Sequence, residues 1–320
     1  MACSTREYAM SEVFRPTPPR AYGEVIEVVP PPEYALQKLH APAKRLGVSR
    51  IPMAALILLA PIVVFGIFGP LLMPHDPTMI DPAKALRPPA FAGGTWAYPL
   101  GTDHTGRDLL SRLIDGARNS LAVAFFGVAL AGAFGTAIGV TAGFLRGAAD
   151  EVLMRLVDMQ LAIPTILLAV LLAAVIGGGL TTVIVSLMVT FWGTYARVVR
   201  GETLVLMQRD YVALARVAGA SRWRIVRYHV LPNLLSMVVI LATLQLGAAV
   251  GLEAALTFLG LGIQPPASAW GLMIADGKMY MSQAWWIPTI PGVAIVVTVF
   301  GANLLGDWVR DRLDPRVSRL

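Results

Sequence analysis

The chain has 320 residues, of which 56% are apolar and only 14% charged, and its formal charge is +6. Soluble domains run at about 45–50% apolar and about 25% charged, so a water-soluble globular body is excluded. Cys3 is the only cysteine and the four histidines stand apart at 40, 75, 104 and 229, which argues against intrachain disulfides and against a clustered metal site.

Taken in chain order, residues 1–50 contain "RPTPPR" and "VVPPPEY" and read as a mostly disordered cytoplasmic tail. No secretory signal pattern is expected there, because the first long apolar run begins only at Ile51. Windows 51–75, 119–145, 159–196, 228–252 and 279–306 hold no Asp, Glu, Lys or Arg. Each is long enough for a span of about 20 residues. The window 159–196 can hold two, because "IGGGLTT" at 176–182 supplies a turn.

Six spans are therefore predicted, at 51–73, 119–143, 162–178, 181–198, 234–260 and 287–306, giving an all-α polytopic membrane protein. An even number puts both termini on one side. With the termini inside, 20 of the 26 Lys and Arg residues lie on the cytoplasmic side, as the positive-inside rule favours. The expected layout is a six-helix membrane body over 51–306, with outer loops 74–118 and 261–286, an inner loop 199–232 and a cytoplasmic tail 307–320.

The outer loop carries Leu109, Leu110, Leu113 and Ile114 at helical spacing, with Arg107, Asp108, Arg112, Asp115 and Arg118 between them. This pattern predicts a helix lying flat at the outer interface, either as an anchor or as a contact surface. Pro265 and Pro266 end the fifth span, and Trp270, Trp285 and Trp286 are expected as interface anchors.

Chemistry for catalysis is missing. "GLMIADGKM" (271–279) has the wrong glycine spacing for a phosphate-cradling loop and a Met where Ser or Thr must meet Mg²⁺. There is no G-x-S-x-G elbow and no H-E-x-x-H pair. Within the predicted spans Glu253 is the one acidic residue. It reads either as a contact lining a path or packing helices, or as a carboxylate reaching interfacial water.

Between spans four and five lies "YVALARVAGASRWRIVRYHVLPN" (211–233). Asp210 is placed to cap a helix with Tyr211, Leu214, Ala215 and Ala218 on one apolar face. Gly219 is placed to end it, and Ser221 to cap a second helix carrying Arg222, Arg224 and Arg227. Pro232 is tolerable at the start of span five. The segment fits a solvated basic loop, a docking helix for a cytoplasmic protein or, least well, a DNA-binding helix-turn-helix, for which it has no room between two spans.

The same stretch resembles the E-A-A-x3-G-x9-I-x-L-P loop of ABC importer permeases. Ala213, Leu214 and Ala215 stand at the E-A-A positions, Gly219 at the glycine and Leu231-Pro232 at the L-P. Ala213 replaces Glu, Leu214 replaces Ala and His229 replaces Ile. The blocks "YPLGTDHTGRDLLSRLIDGARNSL", "EAALTFLGLGIQPPASAWG" and "NLLGDWVRDRLDPR" look like the C-type subunit of dipeptide and oligopeptide permeases, and the resemblance spans about residues 51–316.

It implies that Tyr211, Ala213, Leu214, Ala215, Ala218, Gly219, Ala220, Ser221, Arg222, Leu231 and Pro232 couple to an ATPase. It further implies a homologous permease partner, two ATP-binding subunits that hold ATP and Mg²⁺, and an extracytoplasmic solute-binding protein touching Arg107, Asp108, Arg112 and Trp270. The expected setting is a bacterial inner membrane, with no cofactor in this chain and no nucleic acid. The expected solute is a short peptide, with nickel or another small solute as the alternative. A stand-alone secondary transporter, supported only by Glu253, is the reading from another class.

Overall fold

The apolar run that opens at Ile51 has no charge to interrupt it, and in the computed structural model, which describes residues 51–313, it forms helix α1 (Ile51–Leu72). A loop with two 3-10 turns, Pro82–Lys84 and Ala90–Ala92, leads to α2 (Leu109–Leu145). Then come α3 (Gly147–Ala162), α4 (Thr165–Ile176) and α5 (Leu180–Leu206). The inner hairpin is α6 (Asp210–Val217) and α7 (Arg222–Ile225), the latter running through a π segment, Val226–Val230, into α8 (Leu231–Phe258). Helices α9 (Trp270–Gly277) and α10 (Trp286–Leu313) complete the fold. Among the described residues there is no strand, only one isolated bridge between Thr102 and Asp108. The proposed disordered tail 1–50 and the end of the C-terminal tail lie outside the described residues.

Five helical stretches are long and apolar enough to cross a bilayer, and the pair α3–α4 gives a sixth span if its two halves are one. The third span, expected over 162–178, is found as this broken pair. The two halves bend by 91°, because Pro164 forces Ile163 into an extended conformation (φ −84, ψ 128) and cannot itself donate to a continuing helix. Alone, the 12 residues of α4 reach only about 18 Å at roughly 1.5 Å per residue.

The flat outer helix also fails to appear. Residues 109–118 are the first turns of α2, which is continuous for 37 residues, about 55 Å of helix. Of the charges expected to hold it in water, Arg107, Asp108 and Arg112 are paired inside the fold, and Arg118 alone is exposed.

Helices α2 and α5 form the central pair. Gly135, Gly139 and Gly143 recur every four residues along α2, one face of a helix. A methyl group on Gly135 would sit 2.3 Å from the Trp192 carbonyl oxygen, and one on Gly139 would sit 2.6 Å from that of Ala196. Where hydrocarbon surrounds the protein, close backbone approach of this kind replaces the hydrophobic effect as the source of helix association. Around the pair lies a core that includes Val128, Ala131, Leu187, Tyr195, Leu256, Trp270 and Met273. Helix α1 packs on α2 and α10 but leaves Leu56, Ile57, Ile67 and Leu71 exposed, the pattern of a lipid-facing span.

Candidate functional site

Helix α5 ends at Leu206, and one turn over Met207–Arg209 delivers the chain into α6. Asp210 is the first helical residue of α6 and makes no capping bond, so its expected role as cap is not met; its charge still lies at the favourable end of the helix dipole. The stop is a Schellman turn. Ala220 N–H donates to Ala215 O at 3.0 Å, Gly219 N–H donates to Arg216 O at 3.0 Å, and Gly219 takes φ +78. Only glycine enters that left-handed conformation freely. Ser221 Oγ accepts from Arg224 N–H at 3.3 Å and so starts α7.

Val212 is fully buried, with Ile225, Val226, Val230 and Leu234 in the same apolar cluster and Ala215 packed against it. The apolar face expected on α6 is largely in solvent. Tyr211, Leu214 and Val217 are 40%, 68% and 87% exposed, and Ala213, Ala218 and Gly219 are exposed beside them. An eight-residue helix with Val212 inside and Leu214 and Val217 outside is apolar on both sides. Among the remaining sequence-predicted residues, Ser221, Arg222 and Pro232 are exposed, while Ala220 and Leu231 are half-buried.

The second arm of the hairpin is not a surface helix followed by a turn. From Arg222 to Phe258 the chain is one span-length helical stretch. Its π segment ends where Leu231 N–H donates to Val226 O, immediately before Pro232, whose ring cannot accept the ordinary helical register. A displacement at α6 is therefore delivered to a rigid rod that continues into the membrane.

At the opposite end, four residues expected to face a partner lie inside this chain. Arg112 and Trp270 are 1% exposed and Asp108 is 2% exposed, and the Arg107 side chain is 12% exposed. Arg112 donates to Asp103 and, at 3.0 Å, to Asp276; Arg107 Nε donates to Asp103 at 2.7 Å. Asp108 caps α2, accepting from Ser111 N–H at 3.1 Å, and Trp270 Nε1 donates to Leu113 O at 3.0 Å. Trp286, also buried, donates to Thr102 O at 3.2 Å. This clamp ties loop 98–108 and α9 to the top of α2. Burial pushes the Asp103 carboxyl up, but the guanidiniums of Arg112 and Arg107 outweigh it and hold the group below its ordinary value. Of the three tryptophans expected as interface anchors, only Trp285 keeps a substantial exposed surface, at 45%.

Glu253 does not reach interfacial water. It is fully buried, and its Oε1 accepts from Thr257 Oγ1 at 2.8 Å. Sequence reasoning missed Asp103 and Asp276 as the counter-charges of the clamp, and Val217 at the hairpin tip. It also missed the inner pair Asp150–Arg200, joined by two contacts of 2.6 Å between α3 and α5. The glycine repeat "GTAIGVTAG" (135–143) was a legible signal for the central helix pair.

Comparison with known proteins agrees with this geometry. Residues 135–319 match the family described as binding-protein-dependent transport system inner membrane component, and residues 43–89 match the N-terminal TM domain of oligopeptide transport permease C. The chain is 38% identical over 270 residues to a probable D,D-dipeptide transport system permease protein of Escherichia coli (strain K12), covering 84% of this chain and 89% of the relative. It is 40% identical over 267 residues to a di/tripeptide transport system permease protein of Pseudomonas aeruginosa (strain UCBPP-PA14), covering 83% and 88%. A solved structure of the MetNI methionine ABC transporter in inward-facing conformations contains a chain of the same fold, with a TM-score of 0.53 and 24% identity. That match covers 64% of this chain and 97% of the other. The chain belongs to the family of binding-protein-dependent transport system inner membrane components and is a membrane permease.

Proposed function

We propose that this permease forms half of the translocation path of an ATP-driven importer of short peptides, paired with a homologous permease subunit. Two partner ATPases hold ATP and Mg²⁺ and do the hydrolysis; this chain is not itself an enzyme. An extracytoplasmic binding protein delivers the solute, both termini lie in the cytoplasm, and the membrane is the bacterial inner membrane. The peptide assignment is supported by the relatives named for dipeptides and tripeptides.

One observation carries the coupling role. An exposed apolar tip, Leu214 and Val217, sits on a hairpin whose second arm continues as α8. Exposed apolar side chains on an otherwise charged loop favour a protein groove. A push from an ATPase seated on α6 then tilts α8 as a rigid body, opening the path to the other side.

The test is Leu214→Asp combined with Val217→Asp. Both side chains are exposed, so insertion and thermal stability should be unchanged. Co-purification of the ATPase subunits and peptide-stimulated ATP hydrolysis should be lost. A variant that keeps both activities at wild-type level rules out this tip as the coupling contact.

A further inference from the structure

Hairpin tip and hairpin arm differ in chemistry. Along the arm, Trp223 and Tyr228 are 69% and 64% exposed, and Arg224 and Arg227 are exposed between them. The opposite side of the same helix carries the buried Ile225, Val226, Val230 and Leu234. At steps of three and four residues the exposed side continues through Pro232 to Leu235 and Val239, which are 62% and 44% exposed. One face of one continuous helix therefore changes from basic and aromatic to purely apolar. About 12 Å of helix separates Arg227 from Leu235 at roughly 1.5 Å per residue.

The arginines lack counter-charges among the described residues. Among the described residues Arg224 and Arg227 have no acidic partner within salt-bridge distance, and the same holds for Arg209, Arg216 and Arg222 on this loop, unlike Arg197 and Arg200 at the inner end of α5. The Arg227 guanidinium lies 5.9 Å from the Tyr228 ring centroid, which leaves its N–H groups free to donate outward.

We propose that Trp223, Arg224, Arg227 and Tyr228 form a binding site for the phosphate headgroup of an anionic phospholipid, whose acyl chains run along Leu235 and Val239. Guanidiniums supply paired donors to a phosphate. Tryptophan and tyrosine sit at headgroup level with an apolar body and a polar edge, and the apolar stripe begins where acyl chains do. An acidic protein surface would satisfy the arginines but not the stripe's continuation into the membrane. The lipid would thereby steady the arm from one side while the tip takes up the push on the other. This site is separate from the coupling contact and does not depend on it.

The experiment is a titration of the full-length chain, purified in a zwitterionic detergent, with phosphatidylglycerol and with phosphatidylcholine, followed by native mass spectrometry. Wild type should retain phosphatidylglycerol in preference to phosphatidylcholine, and salt should weaken that preference. Arg224→Gln with Arg227→Gln should weaken it about fivefold per arginine, roughly thirtyfold for the pair. Arg224→Lys with Arg227→Lys should keep most of it, separating charge from folding. Arg310→Gln with Arg312→Gln, at the end of α10, should leave it unchanged. Equal retention by wild type and the Gln pair overturns the proposal, as does an equal loss in the α10 control. So does a Gln pair that keeps lipid but loses co-purifying ATPase, which would assign the arm to protein. Failure of the Leu214/Val217 tip test bears on the coupling reading alone.

Discussion

Arg112 of α2 and Asp276 of α9 meet at 3.0 Å although 164 positions separate them in sequence. The same guanidinium also donates to Asp103, so a single side chain, 1% exposed, joins the start of α2 to both outer segments. Such a pair is costly to bury but far more costly to break, because removal of one member strands a charge.

Arg112→Met should accordingly lower stability by roughly 3–5 kcal/mol, the range for one broken buried pair. The readout is the thermal midpoint of the purified chain in detergent. Asp103→Asn should cost less in the Arg112→Met background than alone, since the two effects share one contact while Arg107 still holds Asp103. A midpoint unchanged in Arg112→Met would show that the clamp holds nothing in place.

Asp103 also sets a pH dependence. Its folded carboxyl titrates below its ordinary value, with burial opposing and Arg112 and Arg107 prevailing. A depressed folded value contributes stability above the unfolded value of about 3.9, and that contribution is lost as pH falls through the folded value. The thermal midpoint should therefore carry this contribution in full from pH 7 down to about pH 5, and lose it below about pH 4. Asp103→Asn should start lower at pH 7 and lose less on acidification. Parallel acid profiles for the two proteins would remove Asp103 from the account.

What the sequence made legible was set by local chemistry. Charge-free windows marked the apolar spans, and Gly219 and Ser221 marked the hairpin turn, because a left-handed residue and a side-chain cap are decided within a few residues. The outer clamp was misread for the complementary reason. Arg112 looks solvated until Asp103 and Asp276 are known to face it, and no helical periodicity encodes a partner 164 positions away. Val212 against Leu214 and Val217 was undecidable by pattern, since α6 is apolar on both sides. The break at Pro164 was readable, because the residue before a proline avoids the helical region; the predicted third span, 162–178, nevertheless ran across it.

The α2–α5 contact offers a matched pair of glycine substitutions. Gly135→Ala places a methyl 2.3 Å from the Trp192 carbonyl oxygen, which is backbone and cannot swing away. Overpacking of this kind should cost about 1–3 kcal/mol and lower the yield of folded protein. Gly251→Ala in α8 meets nothing within 4 Å, and helix propensity should leave it neutral or more stable by about 0.5–1 kcal/mol. Similar midpoints for the two variants would contradict close backbone approach as the basis of the central pair.

Glu253 separates a packing role from a path role. Its Oε1 holds the Thr257 hydroxyl at 2.8 Å, and the Thr257 oxygen in turn accepts from Ile263 N–H at 3.3 Å. The carboxylate thus fixes the chain where α8 gives way to the outer loop. Glu253→Gln keeps an oxygen for Thr257 and turns the other, which neighbours the buried Ser120 hydroxyl, into an amide N–H that this hydroxyl can accept. Glu253→Ala strands the Thr257 hydroxyl and leaves a cavity, at a cost of about 1–3 kcal/mol for the unpaired group before the cavity is counted. If the residue packs, uptake of a labelled dipeptide by the reconstituted transporter should be near wild type for Glu253→Gln, with Glu253→Ala losing thermal stability and uptake together. If its charge serves the path, Glu253→Gln should abolish uptake while its thermal midpoint stays at the wild-type value, a separation that burial inside a single chain does not predict.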